Sequence, residues 1–224
     1  MANAMMLFEY STRIEANLAL FDDMKKMLDQ VFSQGRRPKI LLSGGNSPKS
    51  LYQMIGKEYS RGNMMKIGLV DERFVPLDHE QSNERMIRSC FSNQTEVVGM
   101  VKNTENYENN LKLVQEDYSE FHHELDLVLL GMGGDGHYAS IFPNDPSSYV
   151  ATVSSLKGLM NTNSPNQPRK RITCNLELLC GAKTIYLLIF GQDKLDLLVN
   201  LQEHLPISLI LKRRLDIKIF YSND

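Results

Sequence analysis

The sequence predicts an α/β fold in three layers: a mostly parallel sheet with helices on both faces. Three observations carry this. Five short apolar runs recur along the 224 residues, of the continuous kind that suits strands covered on both sides. Helical patterns alternate with them, as βα units require. Four of the runs pass at once into glycine-rich or polar sequence, as strands do where they deliver loops to a crevice at their carboxyl ends.

Each element has its own warrant. Leu18, Phe21, Leu28, Val31 and Phe32 recur at helical spacing over 12–34, and Gly35 with Pro38 closes that helix. KILLS (39–43) is the first strand and a helix follows over 48–55; KIGLV (66–70) is the second, followed by a helix over 83–91. Tyr107, Leu111, Val114, Tyr118 and Phe121 line one face of a helix over 106–122. LDLVLL (125–130) is the third strand, and the DGHYAS sequence reads as the start of a new helix. The polar, Pro/Asn-rich stretch 154–168 reads as a surface loop, not a domain boundary. RITCNL offers a short strand, TIYLLIF (184–190) a long one, 193–201 a helix and DIKIFY (216–221) a last strand. No internal repeat is visible, so one domain over 1–224 is expected, with disorder confined at most to its first few residues and the 154–168 loop.

Composition narrows the function. Twenty-five basic against 27 acidic residues leave a formal charge of −2, so there is no global field for nucleic acid, and any bound anion must meet a local cationic cluster. Cys90, Cys174 and Cys180 are an odd set without a C-x-x-C pair, which suits a reducing cytosol and speaks against a disulfide framework or a cysteine-built zinc site. No apolar run approaches a membrane span of roughly 20 residues, and the start lacks a secretory pattern. A cytoplasmic location is expected, with no membrane or nucleic-acid partner and no obligate protein partner. Met64, Met65 and most other methionines read as core filler.

The strand-end segments hold the chemistry. Gly44 and Gly45 precede a helix opening with Pro48, where exposed N–H groups can bind an anion. Asp71, Glu72 and Arg73 come directly after the second strand, with His79 shortly after; an Arg fork suits phosphate, and a carboxylate beside it can hold the fork or take sugar hydroxyls. Gly131, Gly133 and Gly136 match G-x-G-x-x-G, but no acid follows at the distance a ribose needs, and the strand is the third of the series, so a dinucleotide is disfavoured. In the same loop, a helix N-terminus would keep His137 neutral and basic, with Asp135 beside it. Arg171 heads an apolar run and Lys194 opens a helix, both placed to reach the crevice; Arg169, Lys170, His122 and His123 read as solvated or structural.

SGGNSPKSLYQ (43–53), DERFVPLDHEQSNERMIRSCF (71–91), DLVLLGMGGDGHYASIFP (126–143), RIT (171–173) and GQDK (191–194) together resemble the 6-phosphogluconolactonase family over most of the chain. The related glucosamine-6-phosphate isomerases and deaminases share the SGG and DGH elements. They typically carry Asp-Glu-Tyr at Asp71–Arg73 and Asn-Glu-Pro at Ile141–Pro143, and both differences favour the lactonase. Asn46-Ser47, Gly134 and Tyr138 depart from the commoner pattern.

The resemblance implies a Rossmann-like fold of deaminase/lactonase type and hydrolysis of 6-phospho-D-glucono-1,5-lactone in the oxidative pentose phosphate pathway. It implies no metal and no cofactor. Catalytic roles fall to His137 as general base and Asp135 as its orienter or a hydroxyl ligand. Substrate binding falls to Gly44, Gly45, Asn46, Asp71, Arg73, His79, Arg171 and Lys194. The competing readings are an amino-sugar-phosphate isomerase/deaminase, a non-catalytic sugar-phosphate sensor and, more remotely, an NAD-dependent dehydrogenase.

Overall fold

The computed structural model describes residues 6–60 and 65–224; the first five residues and Met64, read from sequence as disordered and as core filler, lie outside them. In chain order the elements are β1 (Met6–Tyr10), α1 (Arg13–Ser33), β2 (Lys39–Leu42), α2 (Lys49–Glu58), β3 (Lys66–Leu69), β4 (Asp71–Arg73), α3 (Asn83–Arg88), β5 (Glu96–Val98), α4 (Tyr107–Tyr118), a 3-10 turn (Ser119–Phe121), β6 (Leu127–Leu130), α5 (Pro146–Val153), β7 (Leu159–Asn163), β8 (Lys170–Cys174), α6 (Leu176–Cys180), β9 (Thr184–Phe190), α7 (Gln192–Val199), α8 (Pro206–Arg213) and β10 (Lys218–Ser222).

Seven strands form one wholly parallel sheet in the order β1-β10-β9-β6-β2-β3-β5. From β2 the chain winds outward through β3 to β5, then returns to β6 on the other side of β2 and winds the opposite way through β9 to β10. Right-handed crossovers run in opposite directions place their helices on opposite faces. The central strands are accordingly buried on both faces: Ile40, Leu41, Leu42, Ile67, Leu69, Leu127, Val128 and Leu129 are all inaccessible to solvent. Each such side chain contributes about 1.5–3 kcal/mol relative to exposure. The reversal of winding between β2 and β6 is a topological switch point, where α/β sheets open a crevice beyond the strand ends.

A second, antiparallel sheet of order β4-β8-β7 stands beyond that crevice. Only Val70 separates β3 from β4, so the chain passes from one sheet into the other almost without a break; Cys174 N–H donates to Val70 O at 2.8 Å across the junction.

Local signals account for most helix starts. The Thr12 hydroxyl accepts Glu15 N–H at 3.2 Å and Asn106 Oδ1 accepts Asn109 N–H at 2.9 Å, capping α1 and α4. Two expectations are corrected. No helix follows the glycine loop: left-handed backbone at Gly136, Ala139 and Asn144 (φ +77°, +48° and +63°) breaks any helical run, and the chain turns through residues 131–145 before Asp145 caps α5. Stretch 154–168 is also more than a surface loop, because Leu159–Asn163 pairs with β8, burying Leu159 and Thr162. Among the described residues no helix is long and apolar enough to cross a membrane.

Candidate active site

A cavity of about 200 Å³ lies at the switch point. Gly44 and Gly45 reach it from the end of β2, Asp71 and Arg73 from β4, Gly131, Gly133 and His137 from the loop after β6, Arg171 from β8 and Lys194 from α7. The strand-end segments thus converge. Asn46, His79 and Asp135 are not part of its wall. His79 is exposed and its Nδ1 accepts Gln81 N–H at 3.1 Å, while Gln81 O accepts from Arg73 Nη1 at 2.7 Å, so that turn bears on the site through Arg73.

His137 does not sit at a helix N-terminus, so a helix dipole has no part in setting its state. Asp135 does bear on it directly: Asp135 Oδ1 lies 2.5 Å from His137 Nδ1 and also accepts the His137 backbone N–H at 3.2 Å. The His137 contact, working with the backbone against partial burial, holds the Asp135 carboxyl below its ordinary value. With the Nδ1 hydrogen given to this carboxylate, the neutral ring carries its lone pair on Nε2, the arrangement of an oriented base. The ring packs against Phe142 at 4.8 Å between centroids. It also occupies the space a side chain at residue 133 would take, since a Cβ built on Gly133 falls 2.2 Å from His137 Cε1 and Nδ1.

Arg73 and Arg171 are register partners across the antiparallel β4–β8 ladder, so their side chains leave the same face. No carboxylate forms an ion pair with either among the described residues. Arg73 donates to Gln81 O and its buried Nε has no partner; Arg171 donates to Pro168 O at 2.8 Å and to Ser164 Oγ at 3.4 Å. Burial lowers the Arg171 pKa; Asp71 opposes that shift and Arg73 adds to it. Like charges placed opposite one another repel, and half-buried Lys194 adds a third cation to the same wall; such a cluster has the chemistry to take an anion.

Glu72, between the two cavity-lining residues of β4, points the other way and is almost wholly buried. Burial pushes its pKa up to about 7 against four donors: the N–H groups of Arg73, Asn83 and Glu84 and the Ser82 hydroxyl. It fastens the start of α3 to β4. That places Asn83 on the cavity wall, where its Nδ2 donates to Asp71 O at 2.9 Å. Asn83 and Ser140, whose hydroxyl donates to Asp71 Oδ2 at 2.5 Å, are candidate site residues that the sequence does not assign to the site, Ser140 being disfavoured there as a nucleophile. Their partners are distant in sequence, and only the SN and AS fragments of the motifs marked them.

The family model described as glucosamine-6-phosphate isomerases/6-phosphogluconolactonase matches residues 11–219. A 6-phosphogluconolactonase from Synechocystis is 31% identical over 167 residues, covering 69% of this chain and 67% of that protein. One from Neisseria meningitidis is 27% identical over 225 residues, covering 96% and 97%. Among solved structures, a 6-phosphogluconolactonase from Shewanella baltica superposes with a TM-score of 0.91 at 25% identity over 99% of both chains. One from Thermotoga maritima shares the fold at TM-score 0.81, 20% identity and 98% and 99% coverage. A family match over nearly the whole chain agrees with the convergence of its motifs at one cavity: the chain belongs to the glucosamine-6-phosphate isomerase/6-phosphogluconolactonase family.

Proposed function

We propose that this protein hydrolyses 6-phospho-D-glucono-1,5-lactone to 6-phospho-D-gluconate, in the cytoplasm, as a step of the oxidative pentose phosphate pathway. The observation that carries the reading is a carboxylate-oriented imidazole on the wall of a cavity that also holds two guanidiniums without a carboxylate ion pair among the described residues. The names of the relatives favour the lactonase over the isomerase branch.

A lactone is a cyclic ester, so water can open it without a redox partner. In the proposed mechanism His137 Nε2 takes a proton from water as its oxygen bonds to the lactone carbonyl carbon. Backbone N–H groups of the glycine loops, or a nearby cation, stabilise the resulting oxyanion, a contribution often worth several kcal/mol. As the intermediate collapses, the bond to the ring oxygen breaks and that oxygen takes the proton back from His137. The new carboxylic acid then ionises. Asp135 steadies the imidazolium formed between these steps. Arg73, Arg171 and Lys194, with the Gly44–Gly45 turn, hold the remote phosphate and so orient the ring. Asp71 accepts a sugar hydroxyl, since it pairs with neither arginine. The substrate contacts read from sequence for Asn46 and His79 find no support in the cavity wall.

The test is a pH-stat assay on freshly made lactone, corrected for spontaneous hydrolysis. Turnover above background is expected. A rate equal to background would overturn the reading, and ammonia release from glucosamine 6-phosphate would move it to the isomerase/deaminase branch.

A further inference from the structure

Ser140 is wholly buried and its side chain bonds to Asp71, whereas the carboxylate bonded to His137 is that of Asp135. The Ser140 hydroxyl proton goes to Asp71 Oδ2 at 2.5 Å, so the side chain is committed to that carboxylate, and Ser140 itself is not part of the cavity wall. The second sheet grips its backbone from both sides. Ser140 N–H donates to Thr173 Oγ1 at 3.2 Å, and Ser140 O accepts from Thr162 Oγ1 at 2.7 Å. Thr173 gives its own hydroxyl hydrogen to Cys174 O at 3.1 Å, which leaves its lone pairs for Ser140. Thr173 is also the register partner of Asp71 across β4–β8.

These contacts close a ring: Asp71, across the ladder to Thr173, to the Ser140 backbone, and through the Ser140 hydroxyl back to Asp71. A ring of this kind fixes a carboxylate's rotation as well as its position, because one oxygen is held and the other must face away. Asp71 Oδ1 has no protein partner among the described residues, and Asp71 lines the cavity.

A fixed carboxylate beside Arg73 and Arg171 works against binding an anionic ligand by charge alone. It gains only where the ligand brings a hydrogen-bond donor to the free oxygen. We propose that Ser140 is a positioning residue that aims Asp71 Oδ1 at a ring hydroxyl of the sugar, so that the pair selects polyhydroxylated phosphate esters over simple phosphates. The inference rests on the hydrolase reading above.

The experiment compares wild type with Ser140→Ala, Asp71→Asn and the double variant. It measures kcat and KM on fresh lactone, the inhibition constant of inorganic phosphate, and the melting temperature. Ser140→Ala is expected to raise KM about tenfold, some 1.4 kcal/mol, with a smaller change in kcat and no change in phosphate inhibition. Once Asp71 is Asn, removing the Ser140 hydroxyl should cost little more. The assignment is overturned if Ser140→Ala leaves KM unchanged, if phosphate inhibition weakens in step with KM, or if the two substitutions add. If Ser140→Ala does not fold, Ser140→Cys, a poorer donor of similar shape, carries the same comparison. Background-level turnover by wild type would instead refute the hydrolase reading, which separates the two failures.

Discussion

Replacing Gly44 by Ala tests how closely the turn after β2 is fitted to the rest of the site. A Cβ at residue 44 would fall 1.9 Å from Asn83 Oδ1, 2.0 Å from its Cγ and 2.5 Å from its Nδ2. Ordinary contact needs about 3.5–4 Å, so something must move by well over 1 Å. Asn83 resists, since its Nδ2 is bonded to Asp71 O and its backbone N–H to Glu72 Oε1 at 2.8 Å. Expelling the side chain gives up a hydrogen bond worth about 1 kcal/mol, and crowding a packed site costs about 1–3 kcal/mol. Together these come to about 2–4 kcal/mol, on the order of 5–15 °C in Tm for a chain of this size. If the turn moves instead, its N–H groups leave the anion site and KM rises. Differential scanning calorimetry and steady-state assays read both effects. Asn83→Ala removes the three clashing atoms, so the Gly44→Ala/Asn83→Ala pair should lose less stability than the sum of the singles. A Gly44→Ala variant with native Tm and KM, or strict additivity in the pair, would refute the reasoning.

Three further outcomes are expected. His137→Ala should lower kcat on the order of 10²-fold or more while circular dichroism reports an intact fold, and near-normal turnover would remove His137 as the base. Tyr138 is fully buried and its hydroxyl has no partner among the described residues, so Tyr138→Phe should raise stability by about 1 kcal/mol in denaturant titration, and a loss would mean the hydroxyl has a partner. Burial works to raise the Asp126 carboxyl, but hydrogen bonds from Arg36, Lys183 and the Lys39 N–H overcome it and hold it below its ordinary value. The stability this confers is therefore present above about pH 4 and lost as acid titrates the folded carboxyl. Asp126→Asn should lower Tm at pH 7 and flatten its fall below pH 4; an unchanged acid profile would count against this.

The strands read most plainly from sequence are those covered on both faces of the large sheet; β8 of the small sheet reads as a short strand in RITCNL. β2, β3, β6, β9 and β10 appear as continuous apolar runs because solvent never sets an alternation on them. β1 lies at the sheet edge and keeps exposed Met6 and Phe8, and β5 is three residues long, so neither carries a clear pattern. β4 reads as a charge run because its side chains face a cavity, and β7 reads as a loop because its ladder belongs to a small sheet with polar neighbours. α5, α6 and α8 were likewise not anticipated. The gathering of Gly44, Asp71, His137 and Lys194 followed from parallel topology alone. Ser140 and Asp71 are 69 residues apart, and no local pattern announces a hydrogen bond between them.

The facing arginines of β4 and β8 have an evolutionary corollary. The ladder sets their backbones opposite one another and bonds to Gln81 O and Pro168 O hold the two guanidiniums, so the fold bears the repulsion that Arg73 exerts on Arg171. A selection for heat resistance alone would favour losing one of them, Arg171 above all because it is the more buried. Their joint persistence in a lineage would therefore report an anion that the cell keeps supplying, and a copy released from that duty should shed the pair before it sheds its core.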